Sequence, residues 1–124
     1  MLTVQEAIAN VPGEVQFAAK HMESLQEISG GASGIYPPAS TFKVHILAEL
    51  YRQVDDGIID PQHRVELTDA DRSPGSGVLK EMANGLLLTI HDLAMFMIII
   101  SDNTATDILY NLVGRERLNN TMRD

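Results

Sequence analysis

At 124 residues with 44% hydrophobic side chains, the chain is one domain or a piece of one, with enough apolar material for a core. It has no cysteine, which excludes disulfides, thiol nucleophiles and thiolate zinc sites. A formal net charge of −8, with only nine scattered Lys and Arg, argues against a nucleic-acid partner, and an anionic small substrate would need a locally placed cation.

The opening stretch, Met1 to Val11, carries Glu6 and Asn10 and has neither a basic start nor a continuous apolar run, so no secretory signal is visible in it. Thr3 to Ala9 has weak helical character, ended by Pro12-Gly13. Val15 to Ala19 and Leu25 to Ser29 are short apolar runs separated by the polar Lys20 to Ser24, which predicts a strand hairpin. The Gly30-Gly31-Ala32-Ser33-Gly34 stretch lacks the Gly-Lys-Ser/Thr continuation of a phosphate cradle and reads as a flexible connection. Pro37 and Pro38 hold the next segment extended, and a helical pattern begins near Ser40.

From Thr41 to Val54 the residues Phe42, Val44, Ile46, Leu47, Leu50, Tyr51 and Val54 recur at helical spacing, closed by Asp55-Asp56-Gly57. Ile58 to Thr68, with Pro61, reads as an irregular connection, and Ser73-Pro74-Gly75-Ser76-Gly77 as a plain loop. A short helix is expected over about Val78 to Ala83. Thr89 and Asp92 have capping-box spacing before the apolar helix Leu93 to Ile100. That run is far shorter than the ~18 to 20 residues of a membrane span. Thr104 and Asp107 repeat the box before a last helix, Ala105 to Val113, stopped by Gly114. Ser101-Asp102-Asn103 therefore falls at a helix-to-helix junction.

Two short motifs carry chemistry. In Ser40-Thr41-Phe42-Lys43, residues three apart on a helix share a face, so the Lys43 amine is expected beside the Ser40 hydroxyl. A serine hydroxyl needs a base within about 3 Å to act as a nucleophile, and a lysine held in a dry pocket can be driven partly neutral and serve. In the second motif Ser101 can relay a proton and Asn103 can both donate to a carbonyl and accept from an amide, while Asp102 is suited to tying the backbone N–H groups of its own turn. Alone, each has an ordinary reading as helix capping. A Ser-x-x-Lys match arises by chance roughly once in 200 to 300 positions and Ser-Asp-Asn once in several thousand, so the pair together points to a serine hydrolase site. The histidines His21, His45, His63 and His91 show no metal-ligand spacing. No metal and no cofactor are expected, and Met82, Met95 and Met97 read as core material.

Pro38-Ala39-Ser40-Thr41-Phe42-Lys43 opening a core helix, and Ile98-Ile99-Ile100-Ser101-Asp102-Asn103-Thr104-Ala105 with Ser101 lying 61 positions after Ser40, closely resemble a class A β-lactamase of the serine β-lactamase and penicillin-binding-protein superfamily. The resemblance runs from about Gly13 onward. It implies an α+β, β-lactamase/transpeptidase-like fold, present as a partial domain: residues 1–124 form a single incomplete unit, with the strand hairpin in residues 1–35 and a helical region carrying both motifs in residues 36–124. The C-terminal strands of the family fold are missing. By the same resemblance Ser40 is the acylated nucleophile, its backbone N–H one half of an oxyanion hole, and Lys43 the group that shuttles or accepts its proton. Ser101 passes a proton to the departing lactam nitrogen, Asn103 grips the substrate's acylamino side chain, and Asp102 is structural.

The family's loop glutamate and its Lys-Thr-Gly strand do not occur in the chain. Glu116 and Asn120 mimic the glutamate loop but follow Ser101 too soon. The expectation is thus the N-terminal part of a larger enzyme, weakly active or inactive as it stands, that opens β-lactam rings through an acyl-enzyme on Ser40. Two further readings stay open: a D,D-peptidase, esterase or penicillin-sensing relative, and a non-catalytic fragment that needs a partner chain. Missing cover over the hairpin and the apolar helix predicts exposed apolar surface and self-association. The family implies a periplasmic or secreted protein, but with no leader visible the compartment is unknown.

Overall fold

The computed structural model describes residues 3–31 and 33–123; Ala32 of the expected glycine-rich connection and the ends Met1, Leu2 and Asp124 lie outside them. The chain divides into two compact units, residues 1–37 and 38–124.

The first unit begins with helix α1 (Val4–Ala9), where Glu6 N–H donates to Thr3 Oγ1 and Thr3 N–H to Glu6 Oε2. This reciprocal cap satisfies two of the N–H groups that a helix start leaves without partners. Strands β1 (Gln16–Lys20) and β2 (Glu27–Gly31) pair antiparallel, with Gln16 opposite Gly31 and Lys20 opposite Glu27. The expected hairpin is therefore present, shifted by one or two residues toward the C-terminus. Phe17 faces Gly30, where a Cβ would come within 3.0 Å of its ring. The strands contain no fully buried residue, and the Lys20–Glu27 ion pair is solvent-exposed at both ends, so it adds little.

The second unit opens with a 3-10 turn over Ala39–Thr41 that runs into helix α2 (Phe42–Asp55). The α-helix proper thus starts two residues later than Ser40, but Ser40 and Lys43 stay on one winding of chain. Lys43, Ile46, Leu50 and Gln53 mark the inward stripe of α2 at helical spacing. Ile46 and Leu50 join Leu93, Ala94 and Met97 of α3 (Ile90–Ile99), Ala105, Leu109 and Val113 of α4 (Asn103–Val113), and Leu118 of α5 (Arg115–Thr121) in one core.

Four local expectations are corrected. The segment read as an irregular connection holds strand β3 (Arg64–Glu66), paired antiparallel with β4 (Leu87–Thr89), Val65 opposite Leu88. With three residues and one apolar side chain, β3 carries no alternation to read, and its partner lies some twenty residues on. The short helix near Val78 is only a 3-10 turn, Leu79–Glu81. Helix α4 starts at Asn103 with Asp102 as its cap; Thr104 instead accepts from Ser73 N–H (3.0 Å). Helix α5, beyond Gly114, was not expected at all. The Thr89–Asp92 box is as the sequence indicates, with N–H···O distances of 2.9 and 3.0 Å.

Helix α5 is tied to α2 by a buried polar group. Glu49 is 0% exposed and accepts from Arg52 Nε (2.8 Å) and Nη2 (2.9 Å), Gln53 Nε2 (2.6 Å) and Thr121 Oγ1 (2.5 Å). The Arg52 guanidinium, with Thr121 and Gln53, outweighs burial and lowers the Glu49 carboxyl to about 2. Gln53 Nε2 also donates to Val113 O (2.9 Å), adding α4 to the same cluster. Along α3 and at its C-terminal cap, Met95, Ile98, Ile99 and Ile100 stand exposed. Among the described residues no helix is long and apolar enough to cross a membrane.

Candidate active site

Ser40 sits on the 3-10 turn with its hydroxyl exposed, and Lys43 enters the unit from the first turn of α2, 3% exposed. The Lys43 ammonium has three N–H donors, and all three are used: Ser101 O at 2.7 Å, Ser101 Oγ at 2.8 Å and Asn103 Oδ1 at 2.9 Å. Ser101 Oγ in turn donates to Ser40 Oγ at 3.0 Å. Ser40, Lys43, Ser101 and Asn103 therefore meet. One detail differs from expectation: Lys43 is linked to Ser40 through Ser101 Oγ, because its three protons are spent on the Ser101–Asn103 corner.

Burial pulls the Lys43 ammonium below the usual lysine range, opposed by the negative charges of Asp102 and Asp107. The opposition matters for the chemistry. Burial thus lowers the cost of removing a proton from Lys43 Nζ, and the two carboxylates limit that effect.

The corner is built where α3 ends and α4 begins. Asp102 N–H reaches back to Phe96 O (3.1 Å), closing the last turn of α3 around Ser101, whose φ is 57°. This left-handed position is normally glycine's at a helix end. A serine there stores about 1 to 2 kcal/mol of backbone strain, and what the strain secures is a hydroxyl aimed at both Lys43 and Ser40.

Asp102 does more than cap its own turn. Its carboxylate is 0% exposed. Oδ1 accepts from Ala105 N–H (3.0 Å) at the start of α4, and Oδ2 accepts from Val78 N–H (2.6 Å) and Leu79 N–H (2.9 Å), more than twenty residues upstream. The Ser73–Gly77 stretch, read from sequence as a plain loop, is thus pressed against the corner. Asn103 N–H donates to Ser76 O (2.9 Å), and Asn103 Nδ2 to Pro74 O (2.9 Å). Gly77, at φ +111°, lies where a Cβ would come 2.2 Å from Asp102 Oδ2, and at Gly75 a Cβ would come 2.6 Å from Asn103 Nδ2. The two glycines are needed for close approach as well as for their backbone conformation. Ser73 Oγ donates to Asp107 Oδ2, and Lys80 Nζ to Gly75 O (2.6 Å). The sequence signal for this contact was the Gly-Ser-Gly spacing itself, which does not say what the loop touches.

Asn103 keeps one N–H and one lone pair beyond these bonds, enough to meet an amide or a carbonyl from an entering molecule. Among the described residues there is no group of three or more His, Asp or Glu able to hold a metal ion.

A family model described as "Beta-lactamase enzyme family" matches residues 2–124. Among curated relatives, beta-lactamase VEB-1 of Pseudomonas aeruginosa is 31% identical over 81 residues, covering 64% of this chain and 27% of that protein. A solved beta-lactamase from Sphaerobacter thermophilus is 38% identical at a TM-score of 0.78, covering 81% of this chain and 38% of that one. The structure of PBP-A is 26% identical at a TM-score of 0.86, with 96% of this chain and 46% of that chain covered. A PBP-A mutant has been solved as an acyl-enzyme complex with penicillin G. The chain spans about a quarter of the length of the curated relatives it matches, the matched part being 27% for VEB-1.

Proposed function

The chain belongs to the beta-lactamase enzyme family, and from that premise we propose that it carries the acylating centre of a class A serine β-lactamase, with Ser40 as nucleophile. The observation that carries the reading is the unbroken chain of polar atoms from Ser40 Oγ through Ser101 Oγ to Lys43 Nζ, at 3.0 and 2.8 Å. Both steps are within hydrogen-bond reach for proton transfer.

In this reading Ser40 Oγ attacks the lactam carbonyl carbon while its proton passes to Ser101 Oγ and on to Lys43 in its neutral form. As the ring C–N bond breaks, the same relay runs backward and Ser101 delivers the proton to the departing nitrogen. The proton that leaves Ser40 ends on the lactam nitrogen, and the acyl group ends as an ester on Ser40. Asn103 offers its remaining N–H and lone pair to the substrate's acylamino group. Asp102 touches no reacting atom and holds the corner in place.

A penicillin incubated with the protein should add its whole mass to the chain, read by intact-mass spectrometry, and Ser40→Ala should abolish the adduct. An adduct that persists in Ser40→Ala overturns the assignment. The likeness to PBP-A supports a second reading, a peptidase-like or penicillin-sensing relative. A persistent adduct favours it, whereas steady release of hydrolysed product favours the lactamase.

A further inference from the structure

Between β3 and β4 the chain makes a long excursion, from Thr68 to Leu86, with little regular structure of its own. Such a segment would ordinarily be mobile, yet this one must present two backbone amides to the Asp102 carboxylate within hydrogen-bond distance. Something has to hold it. Its ends are fastened where the strands leave off, by Leu67 N–H to Leu86 O (2.9 Å) and Gly85 N–H to Leu67 O (3.0 Å). Inside it one side chain gathers the rest.

That side chain is Arg72. Its Nε donates to Asp69 Oδ1 (3.0 Å), Nη1 to Leu79 O (3.4 Å) and to Lys80 O, and Nη2 to Met82 O (2.7 Å) and Asn84 Oδ1 (2.7 Å). These contacts use the full donor complement of a guanidinium, which has five N–H groups in a rigid fork. The side chain is 23% exposed. Four of the five acceptors lie between residues 79 and 84, immediately after the Val78 and Leu79 amides that bind Asp102. The Leu79 residue is held from both sides, its carbonyl by Arg72 and its N–H by Asp102.

We propose that Arg72 is a positioning residue for the site: by drawing the carbonyls of Leu79, Lys80 and Met82 onto one guanidinium it fixes the Val78 and Leu79 amides against Asp102, and through Asp102 it sets the Ser101–Asn103 corner that holds Lys43. Arg72 touches none of the residues placed in the chemistry, so the effect travels through backbone. A lysine of equal charge makes point contacts and cannot span carbonyls three residues apart. The inference rests on the reading of Ser40 as nucleophile only for its second test; the first is independent of activity.

The first test is nuclear magnetic resonance on the full chain as wild type, Arg72→Ala, Arg72→Lys and Leu118→Ala, the last a destabilised control in α5. In Arg72→Ala the Val78 and Leu79 amides should exchange with solvent at least about a hundredfold faster than in the control, and the Asn103 carboxamide and Lys43 ammonium signals should move away from their wild-type positions. Arg72→Lys should fall between wild type and Arg72→Ala. The inference is overturned if the two amides loosen no more than in Leu118→Ala, or if they loosen while the Asn103 and Lys43 signals stay in place. Should Arg72→Ala not fold, Arg72→Lys decides by the same two criteria. The second test is adduct formation with a penicillin, expected to slow at least about tenfold in Arg72→Ala, a loss of the size seen when a reacting group is misplaced, and to be unchanged in Leu118→Ala. Absence of any adduct on wild type counts against the proposed function and leaves the resonance test of Arg72 standing.

Discussion

Replacing Asp102 by asparagine removes the charge of a buried group while leaving its shape almost unchanged. The carboxylate serves three N–H donors, Val78 and Leu79 on Oδ2 and Ala105 on Oδ1, at 2.6 to 3.0 Å. An amide has one oxygen, so in either orientation its NH2 group meets a donor. With the oxygen toward Val78 and Leu79, the Ala105 cap is lost, which costs about 1 kcal/mol, and the two surviving bonds weaken from charge-assisted to neutral, about 1 kcal/mol each. The other orientation loses two bonds to the loop and is worse. Relief from no longer burying a charge offsets part of this. The expected loss is therefore about 2 to 4 kcal/mol, read as a lower urea midpoint at unchanged slope. In thermal melting it corresponds to roughly 10 to 20 °C for a chain of this size. A loss under about 1 kcal/mol would refute the reasoning, because it would mean that the loop amides are not held by the carboxylate.

Acid should weaken the second unit through Glu49. Its carboxyl is lowered from 4.5 to about 2 in the folded chain, so its contribution, about 3 kcal/mol, is present above pH 4.5 and is lost as pH falls from there toward 2. Denaturation curves taken across that window should steepen for wild type relative to Glu49→Gln; parallel curves would remove Glu49 from the account. Ser101→Gly should separate stability from chemistry. Relief of the left-handed strain, about 1 to 2 kcal/mol, offsets most of the two lost hydroxyl bonds, one of them charge-assisted and together about 2 to 3 kcal/mol, so the melt should fall only slightly. Adduct formation on Ser40 should nevertheless fall by at least about a hundredfold, and adduct formation at the wild-type rate would show that the relay does not run through Ser101.

The polar atoms of the site were legible in the sequence because they are side chains at fixed spacings. Ser40 and Lys43 share a winding of helix whatever follows them, and Ser101-Asp102-Asn103 had to fall between two apolar runs. What the sequence did not show is what these residues bond to, since so many of the partners are backbone. Val78 N–H, Leu79 N–H, Ser76 O and Pro74 O could belong to any residue type. The same holds for Arg72, whose acceptors are mostly carbonyls, and for β3, whose pairing is decided by a distant strand. Thr104 misled for a related reason: its spacing to Asp107 fits a cap, but Asp102 stands two residues earlier with a carboxylate that bonds Ala105 N–H.

The bonds at Asp102 and Lys43 also differ greatly in how much chain they close. Ala105 lies three residues from Asp102, Leu79 and Val78 lie 23 and 24, and the Lys43 contacts close 58 and 60. A local cap can form on the timescale of helix initiation, whereas a contact that closes a long stretch must first overcome the entropy of the loop. Helix α4 can thus begin from its own cap before the loop docks, and the Lys43 tether is completed only when both helices are already in place. Run in reverse, the tether is the part most easily given up in a local opening. A local opening confined to that tether would therefore silence the proposed chemistry while the helices, and the circular dichroism that reports them, remain.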